Sequence, residues 1–321
     1  MALLFPLCSF ATERPILVSV GIASNGQAAG IGKRAPWGIH EADIVYEIMM
    51  YETGQTRLTC LFQSQFPETV GPVRSARMSQ FYLREEWDAA FVFCGDAGLQ
   101  ARNWMQPDLS LSSPLLLNFH HSQLLRRYAG REKGVKAPDN LSVHLSGLSA
   151  ELPQSREKPV SQPAFKPNSN GIAVEEIVLD WGNDQWLTRL KYDANTHCFQ
   201  MYRKDQPFVS HPSPHQRTAE QATPLCFSAI VIQHTAIEWL TSVVPASNGL
   251  GAGRADYLIE RKLVEGSWQR SHPSAPTCWL DADGLPLTLP EGKRYIAQFP
   301  ETHTREINHE RRILTYLHGG E

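Results

Sequence analysis

Asp43-Ile44-Val45-Tyr46-Glu47-Ile48-Met49-Met50-Tyr51 and Thr56-Arg57-Leu58-Thr59-Cys60-Leu61-Phe62, separated by Glu52-Thr53-Gly54-Gln55, form the stretch on which the fold turns. Both runs are rich in β-branched and aromatic residues, and the spacer carries a glycine, so an antiparallel hairpin is expected. A helix is the competing reading of the first run, because Ile44, Ile48 and Tyr51 also recur at helical spacing. In a strand alternate residues share a face, so Asp43 and Glu47 project together, separated by about four residues at ~3.3 Å each. Arg57 joins their face only if the connecting loop has an odd number of residues. A loop of two or four turns it away.

Working outward, Arg14 to Gly21 reads as a buried strand ended by glycine, and Ser24 to Trp37 as a loop. After Pro72 the stretch Ser75 to Trp87 runs without a breaker and is expected to be helical, with Ser75 as its N-cap. A strand is expected over Ala89 to Cys94, a short helix over Ala97 to Met105, a strand over Leu115 to Phe119 and a basic helical piece over Ser122 to Tyr128. This alternation predicts an α+β protein whose N-terminal domain, residues 1–152, is α/β-like. Pro153, Pro159, Pro163 and Pro167, interleaved with polar residues, mark a linker over 153–171. Beyond it, short runs at Glu175 to Trp181, Leu187 to Tyr192, Cys198 to Tyr202, Ser228 to Trp239, Tyr257 to Leu263 and Arg294 to Phe299 predict a mostly antiparallel β domain over 172–300. A charged tail, 301–321, is expected to carry a short helix near His303 to Arg312.

With 321 residues the chain is long for a single core, and 42% apolar and 20% charged residues describe an ordinary globular protein. Thirty basic against 33 acidic residues give no field of one sign, so nucleic acid is not an expected partner. No run approaches the ~20 apolar residues that cross a bilayer. The six cysteines, at 8, 60, 94, 198, 226 and 278, match no metal or redox spacing and are read as buried free thiols. No cofactor or metal is expected, for phosphate-loop, zinc and nucleophile-elbow motifs are all missing. Nothing specifies an oligomeric state.

The polar residues worth following lie near the expected helix start. Arg74 and Arg77, three apart beside Ser75, can cradle an anion, since guanidinium forks match carboxylate or phosphate and a helix start adds partial positive charge. Arg57 and Asn140 are taken as further ligand contacts. The competing reading is a buried ion-pair network in which Asp43 and Glu47 neutralise the three arginines. An enzymatic alternative makes Asp43 or Glu47 a general acid or base in a hydrolase or transferase acting on cell-wall material, with the arginines stabilising charge.

Val70-Gly71-Pro72-Val73-Arg74-Ser75-Ala76-Arg77, together with Ala42 to Glu47, Phe62-Gln63-Ser64, Tyr192-Asp193, Ile230 to Gln233, Val264 to Trp268 and Pro290 to Lys293, resembles the YerB-like lipoprotein family of Gram-positive bacteria over about residues 5 to 300. The resemblance implies a two-domain protein of unassigned activity at the cell envelope, held there by an N-terminal lipid. Phe5-Pro6-Leu7 before Cys8 is too bulky for a lipoprotein cleavage site, so no anchor is read here. Either the chain starts at an internal or trimmed position, or it is a cytosolic relative, which six cysteines suit better than an oxidising exterior. Relatives carry histidines near Cys94 and between Pro138 and Asn140. Here Cys94, Asp96 and Asp139 stand as substitutes or bystanders.

Other residues carry blander expectations. His120-His121 and His211-Pro212-Ser213-Pro214-His215 are read as loops rather than metal sites, the prolines excluding the helix that would align the latter pair. Asp281-Ala282-Asp283-Gly284 is read as a hairpin turn. Trp181, Trp186, Trp239, Trp268 and Trp279 are assigned to the core of the second domain in preference to a sugar groove.

Overall fold

The computed structural model describes residues 13–22, 35–95, 116–118, 123–128, 137–153, 171–203, 205–216 and 218–317. The hairpin forms as expected and sits in the middle of the molecule. Ile44–Met49 pairs antiparallel with Thr56–Phe62, Glu47 facing Leu58 and Ile48 facing Arg57. From edge to edge, the large sheet runs Cys278–Asp281, Lys262–Arg270, Gly251–Ile259, Ala229–Thr235, Arg294–Pro300, Ile44–Met49, Thr56–Phe62, Ile16–Val20, Ala90–Phe93 and Leu116–Asn118. Strands from both halves of the chain thus share one hydrogen-bonded ladder, joined where Arg294–Pro300 lies parallel to Ile44–Met49.

The central strands are apolar almost throughout because both faces are covered. On one face Leu17, Tyr46, Leu61, Phe91, Val231 and Ile296 pack under Phe81 and Leu83 of the helix Met78–Trp87. On the other, Val18, Val45, Leu58, Ile230 and Ala297 pack against a second sheet through Ile177, Leu190, Phe199, Met201 and Leu314. That second sheet is ordered Gln206–Pro207, Cys198–Arg203, Thr188–Asp193, Glu176–Leu179, Ile313–Leu317, Thr304–Asn308. Its strands alternate buried with half-buried residues, since only one side meets the core. A small sheet of Thr69–Val70, Leu141–His144 and Leu125–Arg127 closes the same layer near the N-terminal strands.

The molecule is therefore largely β, and the α/β-like first half is corrected: the described residues contain two helices, Met78–Trp87 and Leu145–Glu151. The basic piece before Tyr128 is a strand, Leu125–Arg127, because its backbone is captured by Leu141–His144. The helix after Pro72 begins at Met78, with Arg77 at the N-cap position rather than Ser75. The Ser75 carbonyl is held by Ser19 and Arg57 instead. The charged tail is a hairpin of Thr304–Asn308 and Ile313–Leu317, not a helix.

The run Tyr257 to Leu263 crosses a turn at Glu260 and Arg261, both at positive φ, that joins two nine-residue strands. Ser228 to Trp239 likewise divides, into Ala229–Thr235 and Glu238–Trp239. Cys198 and Cys226 form a disulfide across neighbouring strands, so the reading of all cysteines as free thiols is corrected, while Cys60 is a buried thiol as expected. Asp281 to Gly284 is a turn, and Trp181, Trp186 and Trp268 are buried core residues, whereas Trp239 is 52% exposed. Cys8, Asp96, the helix expected at Ala97 to Met105, His120-His121 and most of the linker fall outside the described residues.

No described helix is long and apolar enough to cross a membrane.

Candidate functional site

The chain after Pro72 is threaded across the carboxyl ends of two parallel strands. The Arg74 N–H donates to Ser19 O at 2.9 Å, and the Cys94 N–H donates to Arg74 O at 3.0 Å, which stitches Arg74 between the ends of Ile16–Val20 and Ala90–Phe93. Two glycines make the approach possible. A Cβ on Gly21 would lie 2.5 Å from Arg74 Cγ, and one on Gly95, whose φ is 80°, would lie 3.2 Å from Ser75 Oγ.

Arg57 reaches the same place from the hairpin and donates from an η nitrogen to Ser75 O at 3.1 Å while only 4% exposed. Burial pushes its pKa well below the ordinary guanidinium value, and the charges of Arg77 and Arg74 push it further the same way. A guanidinium nevertheless stays protonated in a protein, so the site holds real positive charge. Arg77 donates to Ala76 O at 2.9 Å and to the Tyr51 hydroxyl at 3.0 Å, with its guanidinium 5.3 Å from the Tyr51 ring centre. Its Nε is buried without a hydrogen-bond partner among the described residues. Burial lowers its pKa, and Tyr51 opposes that shift.

Arg74, about a quarter exposed, faces Asp139 at 3.4 Å. Among the described residues Asp139 is the sole carboxylate in ion-pair range of these three arginines. Next to it, Asn140 accepts from Arg127 at 3.0 Å and donates to Tyr128 O at 3.1 Å, and Arg127 reaches to 3.9 Å from Cys94 Sγ. The structure thus gathers Arg57, Arg74, Ser75 and Arg77, with Asn140 on the neighbouring loop.

Asp43 and Glu47 do not join them, and the ion-pair network expected between them and the arginines does not form. The register is the cause: Glu47 is opposite Leu58 and Arg57 opposite Ile48, so hairpin parity sends Glu47 and Arg57 to opposite faces. Glu47, fully buried, accepts from Arg203, Thr56, Tyr295 and, at 3.0 Å, Thr188, which ties the hairpin to both the second sheet and the Arg294–Pro300 strand. Asp43 accepts from the backbone N–H groups of Gln63 at 2.6 Å and Ser64 at 2.9 Å.

A second charged cluster joins the two sheets. Asp256, fully buried, meets His234 at 3.2 Å, the Tyr316 hydroxyl at 2.6 Å and Arg305 at 2.9 Å. Burial works to raise its pKa, but the hydrogen bonds from His234 and Tyr316 and the charge of Arg305 prevail and hold it below the usual carboxylate value.

Residue reading did not single out Tyr51, Arg203, Thr188, Tyr295 or Asp256. Arg203, Thr188, Tyr295 and Asp256 sit in apolar or alternating strands and Tyr51 in the turn of the hairpin, and only tertiary contacts supply their partners.

Comparison with known proteins agrees with this architecture. Residues 9–158 match the N-terminal domain, and residues 177–296 the C-terminal domain, of a protein family of unknown function, DUF3048. Over 94 residues, 28% of this chain and 27% of the relative's length, the chain is 39% identical to YerB of Bacillus subtilis (strain 168), whose name marks it as a candidate lipoprotein. The crystal structure of Bacillus subtilis YerB superposes with a TM-score of 0.69 at 21% identity, over 90% of this chain and 92% of that one, which establishes a shared fold. With both family domains matched in order and the fold shared, this chain belongs to the YerB-like family defined by those two domains.

Proposed function

We propose that the chain is an extracytoplasmic protein of the cell envelope that binds an anionic ligand, carrying phosphate or carboxylate, through Arg57, Arg74 and Arg77, with Ser75 and Asn140 beside them. The observation that carries this reading is the buried charge of Arg57: the two neighbouring arginines outweigh the opposing influence of Tyr51 and Asp139, and its own hydrogen bond goes to a neutral carbonyl. A buried charge that is only partly compensated is costly, and an arriving anion lowers that cost. The Cys198–Cys226 disulfide and the candidate-lipoprotein relative both support an oxidising compartment outside the membrane.

The hydrolase reading draws no support from the geometry. Glu47 is sealed from solvent with its oxygens occupied, and Asp43 is held by the chain after Phe62.

Thermal melting in inorganic phosphate or pyrophosphate, against chloride at equal ionic strength, tests the proposal. A probe at about 100 times its Kd stabilises the folded state by about 2.7 kcal/mol, so the wild-type melting temperature rises by several degrees. Arg74→Met with Arg77→Met loses that rise while its melting temperature without the probe stays near wild type. No anion-specific rise in the wild type, or an equal rise in the double variant, refutes the assignment.

A further inference from the structure

Guanidinium groups enter the arginine cluster from three parts of the chain: Arg57 from the strand Thr56–Phe62, Arg74 from the segment that crosses the strand ends, and Arg77 from the N-cap position of the helix Met78–Trp87. Each group offers several N–H donors in a fixed fork. Arg57 uses one of them, on Ser75 O. Arg77 is engaged by Ala76 O and the Tyr51 hydroxyl, and its buried Nε has no hydrogen-bond partner among the described residues. The Arg74 side chain makes no hydrogen bond among those residues, for Asp139 stands only in ion-pair range at 3.4 Å. The half-buried Ser75 hydroxyl likewise has no partner among them.

The charges do not cancel. Among the described residues three arginines face one carboxylate, Asp139, which leaves a surplus of two positive charges. Arg127, which donates to Asn140 on the flank and approaches Cys94 Sγ, adds to the same side of the balance. A carboxylate or a phosphodiester brings a single negative charge and leaves part of that surplus unmatched. A phosphomonoester brings nearly two at neutral pH, together with three strong acceptor oxygens that guanidinium forks can grip in pairs. Donors arriving from three separate segments suit a tetrahedral acceptor better than a flat one.

We propose that the cluster selects a doubly charged phosphomonoester over carboxylates and phosphodiesters, with Arg57, Arg74 and Arg77 on its oxygens and the Ser75 hydroxyl beside them. This rests on the anion-binding reading above and narrows it to one class of ligand. Asp139 competes with the ligand for Arg74, so it weakens binding of every anion and leaves a doubly charged one the best match for the remaining charge.

Calorimetric titration of the full chain with methyl phosphate, dimethyl phosphate, acetate and sulfate tests this. At neutral pH methyl phosphate and sulfate bind, and dimethyl phosphate and acetate bind at least about tenfold more weakly, the usual worth of a charge-assisted hydrogen bond. At about pH 5 the affinity for methyl phosphate falls about tenfold relative to that for sulfate, because a phosphomonoester regains its second proton near pH ~6 whereas sulfate stays doubly charged. The sulfate reference removes the effect of any titration of Asp139, Tyr51 or Cys94, the titratable groups beside the four arginines among the described residues. Arg74→Met with Arg77→Met abolishes methyl phosphate binding. Asp139→Asn tightens it by about fivefold, a gain that a misfolded chain cannot give. Equal affinity for methyl phosphate and a singly charged probe, a methyl phosphate to sulfate ratio unchanged by pH, or no gain in Asp139→Asn overturns the phosphomonoester preference and leaves the anion site standing. No binding of any probe, or methyl phosphate binding that survives the arginine substitutions, overturns both.

Discussion

Glu47 and Asp256 are carboxylates held in the interior by partners from distant parts of the chain, and their partners decide what a substitution does. Arg203→Met leaves the Glu47 charge without its ion-pair partner, and the expected loss is about 3–5 kcal/mol of folding stability. Replacing both residues by apolar ones of similar volume is expected to cost far less. Urea denaturation of the single and double variants measures the difference, and a single variant within about 1 kcal/mol of wild type contradicts the assignment. Asp256 makes a pH-dependent contribution. Its folded pKa is depressed, so the stabilisation it provides is present above the ordinary aspartate value of 3.8 and is lost as pH falls through the folded value. The stability gap between wild type and Asp256→Asn is therefore wide at neutral pH and closes below about pH 4. A gap that stays constant from pH 7 to pH 2 rules this out.

Individual elements were legible wherever the local pattern and the local environment agreed. The central hairpin was readable because its runs are β-branched on both sides of a glycine-containing turn, and the buried strand Ile16–Val20 because it is continuously apolar. Arg57 followed the parity rule once the register was known. The failures have definite causes. Leu125–Arg127 and the tail hairpin carry charged residues that suit a helix surface as well as an exposed strand face, and only the neighbouring strand decides between them. The turn at Glu260 and Arg261 lacks the glycine or asparagine that usually marks positive φ, so two strands were read as one. Cys198 and Cys226, 28 residues apart, become partners only because strand pairing brings their Cα atoms to 5.7 Å. Closing a loop of 28 residues is worth roughly 3–4 kcal/mol, so Cys198→Ser with Cys226→Ser should lower stability by about that amount. Non-reducing intact-mass analysis of the wild type provides a direct check, since a fully reduced chain purified from an oxidising compartment would contradict the pairing.

At the scale of the molecule, the two matched family domains share one sheet, for Arg294–Pro300 lies between Ala229–Thr235 and Ile44–Met49. A fragment of residues 1–152 would therefore expose one edge of the otherwise fully buried strand Ile44–Met49 and leave Glu47 without Arg203 and Tyr295. Such a fragment is expected to be insoluble or to unfold at least in part, and co-expression with residues 171–321 should restore it. A monomeric, cooperatively melting fragment would show that the first half folds without the second. By itself the sequence determined the family, the predominance of strands over residues 172–300, the central hairpin and the arginines worth following, because these depend on local patterns of apolar, turn-forming and charged residues. Only the tertiary structure decided which charges meet. The partners of Glu47, Arg74 and Asp256 lie 156, 65 and 49 residues away in Arg203, Asp139 and Arg305, and nothing local to either member of each pair encodes the other. The same long-range pairing separated the carboxylates from the arginines and left Arg57 buried among like charges. That separation converted an expected ion-pair network into a candidate site for an anion.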